Sequence, residues 1–261
     1  QAVARGLAEL GLEIGDTVAI MLPTSEAFFF AFLGVELAGG IPIPIYPPFR
    51  PDRITEYAMR ESHILNNAQA RVLITFERAQ GLSNVLRNFI STLTAVTTVD
   101  SLMESKHPLP KVDIRADGPA MIQYTSGSTS DPKGVLLNHS NLLANIRAYG
   151  EAVQLQQGDC IVSWLPLYHD MGLIGAWLGS FYYGLPATIM SPLTFLSRPE
   201  RWLWAIHYHR ATMSAGPNFA YELCVSKIKD ADIEGLDLSS WKLAFNGAEA
   251  VNPKTLMRFI K

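Results

Sequence analysis

The segment Tyr124–Gly134 reads Y-T-S-G-S-T-S-D-P-K-G and concentrates hydroxyl groups around one glycine and one lysine. Five of the six residues 125–130 carry a serine or threonine hydroxyl: Thr125, Ser126, Ser128, Thr129 and Ser130. Gly127 lets the backbone turn where a side chain would collide, and Lys133 supplies a mobile cation. Hydroxyls, free backbone N–H groups and a lysine are the groups that bind a polyphosphate. A phosphate-binding loop is the favoured interpretation, and the alternative is a flexible Ser/Thr linker with a solvated lysine.

This loop differs from the Walker motif, in which lysine follows the second glycine and a helix comes next. Here Lys133 precedes Gly134, and a strand is expected to follow. The loop is predicted to lie between two buried strands, Ala120–Tyr124 and Val135–Asn138. The arrangement therefore predicts a phosphate loop of another kind.

Two further segments place polar groups after predicted strands. Trp164–Gly175 reads W-L-P-L-Y-H-D-M-G-L-I-G, so His169 and Asp170 precede an apolar helix. A lone histidine is more often a core residue with satisfied hydrogen bonds, and Asp170 could either orient the His169 ring or cap the helix. Asn246–Val251 reads N-G-A-E-A-V, which taken alone also suits a simple turn between a strand and a helix.

Together and in this order, the three segments resemble those of the adenylate-forming superfamily. Residues 125–134 match that family's phosphate loop, [ST]-S-G-[ST]-T-G-x-P-K-G, except at Ser130, where the family usually has glycine. Trp164–Gly175 is similar to the family's acyl-site segment, and Asn246–Val251 to its adenine-binding turn, with Ala250 in place of the common proline. L-P-L-Y-H-D-M-G-L-I-G and P-I-P-I-Y-P-P-F-R-P-D-R resemble the fatty acyl-AMP ligases in particular, and the chain looks like the N-terminal portion of one.

The resemblance implies ATP-dependent activation of a medium- or long-chain fatty acid to an acyl-adenylate with release of pyrophosphate, and it implies ATP and Mg²⁺ as cofactors. The implied phosphate-binding residues are Thr125, Ser126, Gly127, Ser128, Thr129 and Lys133. The implied adenine-binding residues are Asn246, Gly247, Ala248 and Glu249. The implied acyl-binding residues are His169, Asp170, Met171, Gly216 and Pro217. His169 and Lys133 are the implied catalytic residues, and no metal ligand is expected within this stretch.

Two other enzymes and one other class of protein remain as alternatives: an acyl-CoA synthetase, an amino-acid-adenylating domain, and a non-catalytic module that binds nucleotide or acyl chains. An acyl carrier protein or a polyketide or peptide synthase is the expected acceptor. Family members carry a magnesium-binding acid, a ribose-binding aspartate and a C-terminal domain with a catalytic lysine beyond the adenine turn. We therefore expect the 261 residues alone to form little acyl-adenylate.

The elements that position these residues alternate between short apolar runs and helical patterns. This alternation predicts an α/β fold of layered, mostly parallel sheets flanked by helices, which the resemblance identifies as the large N-terminal domain of an adenylate-forming enzyme, incomplete here. We expect a first subdomain over 1–105, a linker over 106–119 and a second subdomain over 120–261. Prolines in Ile41–Ile45 predict an edge strand or surface loop. Thr94–Asp100 is expected to be a weak strand, and Ser197–His209 one helix.

Composition excludes several classes. With 48% apolar residues and a net charge of −3, the chain is neither typical of disorder nor basic like most nucleic-acid-binding proteins. Two widely separated cysteines, Cys160 and Cys224, indicate a reduced, cytoplasmic protein without a disulfide framework. No signal peptide is visible. Met171–Met190 is uncharged over 20 residues, but its glycines and proline favour a buried helix and strand over a membrane span.

Nucleotide binding is predicted to depend on Lys133. Removing one charge-assisted hydrogen bond costs about 1.5–3 kcal/mol, so Lys133→Ala should weaken ATP binding about ten- to hundred-fold. Calorimetric titration of the full-length protein with ATP measures this directly. Equal affinity in the variant and the wild type would rule out the phosphate-loop assignment.

Overall fold

The computed structural model describes residues 1–48, 54–125 and 132–260. The chain divides by its internal contacts into two compact units, Gln1–Ala144 and Asn145–Lys261. The hairpin that flanks the predicted phosphate loop falls in the first unit, because its strand β5 (Pro119–Thr125) packs against β2 (Ile41–Pro44). The sequence predicts a linker over 106–119, which would place this hairpin in the second subdomain. Those subdomain boundaries stay a prediction.

The first unit is built on a parallel sheet in the order β2-β1-β3-β4. Its other strands are β1 (Thr17–Ile20), β3 (Val72–Thr75), β4 (Ala95–Thr98) and β6 (Lys133–Asn138), the last pairing antiparallel with β5. Its helices are α1 (Ala2–Glu9), α2 (Glu26–Leu37), α3 (Ile54–Asn67), α4 (Gln80–Arg87) and α5 (Val99–Met103), and α6 (His139–Ala152) crosses the division between the units. Strands and helices thus alternate over a parallel sheet, as predicted.

Three expectations for this unit are refined. The proline-containing strand β2 does lie at a sheet edge, but all four of its residues are buried rather than on the surface. The expected strand Thr94–Asp100 ends at Thr98, because the Thr98 hydroxyl accepts a hydrogen bond from the Ser101 N–H and caps α5. The prediction that β6 is buried is wrong: Lys133 to Leu136 are exposed, since the described residues pair β6 with β5 alone.

The second unit has a parallel sheet in the order β10-β9-β7-β8. Its strands are β7 (Ile161–Ser163), β8 (Ala187–Ile189), β9 (Met213–Gly216) and β10 (Leu243–Asn246). A π-helix (Met171–Leu178) leads into α7 (Gly179–Tyr183), followed by α8 (Pro192–Ser197), α9 (Glu200–Tyr208), α10 (Asn218–Lys227) and α11 (Pro253–Phe259). The expected single helix Ser197–His209 therefore begins at Glu200, after Pro199, and Ser197 ends the preceding helix.

A buried aromatic cluster holds the helices of the second unit on its sheet. Trp202 is fully buried, and its Nε1–H donates to Ser214 Oγ at 2.7 Å. Ser214 Oγ in turn donates to the Val162 carbonyl oxygen at 2.6 Å, so one polar chain ties α9 to β9 and β7. Of the four aromatic residues Trp202, Trp204, Phe219 and Tyr221 on α9 and α10, Trp202 and Tyr221 are buried, Trp204 is half-buried, and Phe219 is 45% exposed.

Both cysteines are free, and among the described residues no helix has the length and apolar character needed to cross a membrane. Met171–Met190 instead contains the π-helix, α7 and β8. The expected helix and strand are therefore present in this stretch, but the expectation that both are buried is wrong for the strand: the buried residues lie between Gly172 and Ser180, and none of residues 181–190 is buried.

The stability of the first unit is predicted to fall as pH rises, because of Glu61 in α3. Glu61 is fully buried, neither carboxylate oxygen has a hydrogen-bond partner within the described residues, and burial raises its pKa from 4.5 to about 8. Between pH 4.5 and about pH 8, Glu61 is therefore protonated in the folded state and ionised in the unfolded state. Across this pH range the free energy of unfolding decreases by up to ~1.4 kcal/mol per pH unit. Urea unfolding should show a flatter pH dependence for Glu61→Gln. The exposed Glu9→Gln is the matched control, and identical pH slopes for Glu61→Gln and wild type would contradict this account.

Candidate active site

The predicted acyl and adenine segments follow the carboxyl ends of neighbouring parallel strands in the second unit. β7 ends at Ser163, β9 at Gly216 and β10 at Asn246, and Asn246 is paired in register with Gly216. The carboxyl ends of parallel strands meet at one edge of a sheet, which is where open α/β folds bind their ligands. The fold therefore collects segments separated by more than 80 residues along one edge.

The segment after β7 turns into the π-helix through His169 and Asp170. Asp170 Oδ1 accepts a hydrogen bond from the Met171 N–H at 2.7 Å, so Asp170 caps the helix. His169 is exposed, its carbonyl oxygen accepts from the Leu173 N–H at 2.8 Å, and its ring centroid lies 5.1 Å from that of Tyr168. The structure thus supports the capping interpretation of Asp170 and leaves the His169 ring at the surface of the unit.

A cavity of about 170 Å³ lies between the sheet of this unit and the π-helix. Its described lining is Tyr149, Ile161, Val162, Ser163, Met171, Gly175, Ala176, Met213, Ser214, Ala215 and Phe245. Of the five predicted acyl-binding residues, Met171 lines the cavity. Gly216 and Pro217 do not line it, but they directly follow Ala215, which does. The Ser214 hydroxyl already forms hydrogen bonds with Trp202 and Val162. The wall of the cavity is therefore mainly apolar. Such a space suits a hydrocarbon chain.

Sequence reasoning missed most of this lining. Val162, Met213 and Ala215 resemble ordinary strand residues, and nothing in their spacing marks them as facing a cavity. The one available signal was the run of glycines in Gly172–Gly179, which is unusual inside a helix.

The predicted adenine turn is fastened to the start of α10. Glu249 Oε1 accepts from the Phe219 N–H at 2.6 Å, and Asn218 Oδ1 accepts from the Asn252 N–H at 2.9 Å and from Asn246 Nδ2 at 3.4 Å. The residue in the left-handed conformation is Ala248, with φ 67°, and not the neighbouring Gly247. Glu249 therefore has a structural role that the sequence did not reveal.

Asn246, at the end of β10, has one side-chain polar atom without a hydrogen bond among the described residues. Its Oδ1 is buried and has no hydrogen-bond partner among the residues described here. A buried acceptor without a partner is costly, and a nucleotide amine could satisfy it.

In the first unit, the predicted phosphate loop joins the two strands of the hairpin. Thr125, the last residue of β5, is paired in register with Lys133, the first of β6, and both are exposed. Ser126, Gly127, Ser128 and Thr129 lie outside the described residues. Below the loop, Tyr124 donates its hydroxyl to Asn67 Oδ1 at 2.5 Å, and a Cβ at Gly134 would lie 2.9 Å from the Tyr124 ring. A side chain at position 134 would therefore require the Tyr124 ring to shift.

Within residues 1–48, 54–125 and 132–260, no group of three or more His, Cys, Asp or Glu side chains is arranged to hold a metal ion.

The family comparison matches the resemblance seen in the sequence. The model of the family described as AMP-binding enzyme matches residues 1–261. The chain belongs to the AMP-binding enzyme family.

Particular relatives narrow this class. The chain is 34% identical over 284 residues to the medium-chain fatty acid–[acyl-carrier-protein] ligase TtuA of Teredinibacter turnerae, with 94% of this chain and 44% of the relative covered. It is 38% identical over 254 residues to FadD21 of Mycobacterium bovis, named a putative fatty acid–CoA ligase, with 94% and 43% covered. The chain thus spans less than half the length of these relatives.

Solved structures agree. One from a study of fatty acyl-adenylate ligases of E. coli and L. pneumophila has a TM-score of 0.92 at 34% identity, covering 99% of this chain and 47% of that one. The L. pneumophila fatty acyl-adenylate ligase in complex with acyl adenylate and pyrophosphate has a TM-score of 0.83 at 35% identity, covering 99% and 44%. The resemblance to fatty acyl-AMP ligases and the predicted α/β fold are confirmed.

Removing the Glu249 carboxylate is predicted to destabilise the second unit. An acceptor at a helix start contributes about 0.5–2 kcal/mol, so Glu249→Ala should lower the unfolding free energy by that amount. Glu249→Gln keeps an acceptor oxygen and should retain most of it. Urea denaturation measures both variants, and an unchanged midpoint in Glu249→Ala would show that the hydrogen bond to Phe219 contributes nothing.

Proposed function

We propose that the protein containing this chain activates a medium- or long-chain fatty acid as an acyl-adenylate. The observation that carries the proposal is the apolar cavity at the same sheet edge as the predicted adenine turn. The similarity to fatty acid ligases, one of them solved with acyl adenylate and pyrophosphate, supports it.

The proposed reaction needs no covalent enzyme intermediate. A carboxylate oxygen of the fatty acid attacks the α-phosphorus of ATP and forms a new P–O bond. The bond from that phosphorus to the β-phosphate bridging oxygen breaks, and pyrophosphate leaves with the electron pair. The protein's contribution is positioning and charge neutralisation.

Lys133 and Thr125 carry the proposed phosphate contacts, together with Ser126, Gly127, Ser128 and Thr129. Their exposed places at the mouth of the hairpin support this role, since a phosphate can reach both side chains. The Lys133 ammonium would neutralise charge as pyrophosphate departs.

Asn246, Gly247, Ala248 and Glu249 would form the adenine site, with the unpartnered Asn246 Oδ1 accepting from the purine amine. Because Glu249 Oε1 already accepts from the Phe219 N–H, we assign Glu249 the task of holding the turn in shape. His169 would donate to the reacting carboxylate or the α-phosphate from its exposed position before the π-helix.

For the acyl chain, Met171 lines the cavity, whereas Asp170, Gly216 and Pro217 would border its entrance. The acceptor in this proposal is an acyl carrier protein, as in the name of the Teredinibacter relative. The FadD21 name makes CoA the second candidate. ATP, Mg²⁺ and a cytoplasmic location complete the proposal.

The full-length protein should catalyse pyrophosphate exchange faster with a fatty acid than with an amino acid. An amino-acid site needs an acidic partner for the substrate ammonium, and Met171–Met190 contains no acid. Each methylene buried in the cavity contributes roughly 0.8 kcal/mol, so KM should fall with chain length until the space is full. Faster exchange with any amino acid than with a saturated fatty acid series would overturn the proposal, and the assay without added acid is the control.

A further inference from the structure

Three glycines, Gly172, Gly175 and Gly179, lie along the π-helix and at the start of α7, and a side chain would be crowded at two of them. A Cβ at Gly172 would lie 2.4 Å from the Pro166 carbonyl oxygen. This distance is too short for any side chain. A Cβ at Gly179, where α7 begins, would lie 3.1 Å from Tyr149 Cε1. A Cβ at Gly175 would meet no described atom within 4 Å. Backbone crowding therefore accounts for Gly172, and a Cβ at Gly179 would require a small shift of the Tyr149 ring, whereas no described atom crowds Gly175.

The open space beside Gly175 is the apolar cavity. In a π-helix the backbone hydrogen bonds join residues five apart, so residues four and five positions apart lie on one face. Met171, Gly175 and Ala176 have this spacing, and all three line the cavity. Gly175 thus lies between the long side chain of Met171 and the short one of Ala176, on the wall of the cavity that faces β7 and β9.

A glycine inside a helix is less stable than alanine there, so its presence calls for a compensating reason. The hydrogen bonds and packing of the described residues supply none at Gly175. Among the described residues, the missing side chain at Gly175 leaves additional volume in the cavity that this residue lines.

We propose that Gly175 determines the length of the acyl chain that the cavity accepts. This inference rests on the proposed function, and it adds the residue that sets the substrate's size. A side chain at this position would occupy the volume that the distal carbons of a long acyl chain fill, and it would do so without disturbing the backbone.

The experiment is a chain-length profile of pyrophosphate exchange for the full-length protein and its variants, using saturated fatty acids of increasing length. Gly175→Leu should shorten the preferred acyl chain by about four carbons, because the cavity has no room for both the leucine side chain and the last carbons of the acyl chain. The ratio of kcat/KM for the longest to the shortest accepted acid should fall at least about tenfold. Gly175→Ala should shift the profile in the same direction by about one carbon, so the test survives if the leucine variant folds poorly.

Gly81→Leu is the matched control. Gly81 also lies in a helix and its Cβ would also meet no described atom within 4 Å, but it lies in α4, outside the cavity lining. This variant should keep the wild-type profile. Gly172→Ala serves as the structural comparison and should lower the melting temperature, whereas Gly175→Ala should not.

Two outcomes would overturn the inference while leaving the proposed function intact: an unchanged profile in both Gly175 variants, or a loss of rate that is equal at all chain lengths. A wild-type protein that shows no exchange with any fatty acid would instead overturn the proposed function.

Discussion

The common carboxyl edge of the parallel sheet in the second unit is the constraint on which the candidate site depends. Because β7, β9 and β10 run in one direction, the segments that follow them must emerge at the same edge. Trp164–Gly175, Pro217 and the turn Asn246–Glu249 are brought together in this way, although they are far apart in the sequence. An antiparallel pairing of any one of these strands would send its segment to the opposite edge.

The interior of this unit keeps the edge in place and the cavity apolar. The chain of hydrogen bonds from Trp202 through Ser214 to Val162 satisfies three buried polar groups with one another. A hydroxyl that is bound in the core presents little polarity to the cavity next to it. Tyr221, whose hydroxyl donates to the Phe245 carbonyl oxygen at 2.6 Å, binds α10 to β10 in the same manner. The aromatic residues thus contribute both packing and fixed hydrogen bonds.

Much of this could be predicted from the sequence, because motifs and strand periodicity are local properties. The strand–helix alternation, the edge position of the proline-containing strand β2, and the cap at Asn252, whose side chain accepts from the Lys254 N–H, all follow from nearby residues. What could not be predicted depends on distant partners. The exposure of β6 follows from which strands pair with it, and the Glu249 cap needs Phe219, 30 residues earlier in the chain. The cavity lining depends on how several elements meet, and the π-helix has no simple sequence signal.

The central claim is that one edge of the second unit's sheet holds both the adenine and the acyl chain. A crystal structure of the full-length protein with a non-hydrolysable acyl-adenylate, such as an acyl-sulfamoyl adenosine, tests it most directly. The account predicts an adenine against Asn246–Glu249, with its amine within hydrogen-bond distance of Asn246 Oδ1, and an acyl chain in the cavity beside Met171. An adenine away from this turn, or an acyl chain outside the cavity while the analogue is fully bound, would contradict it.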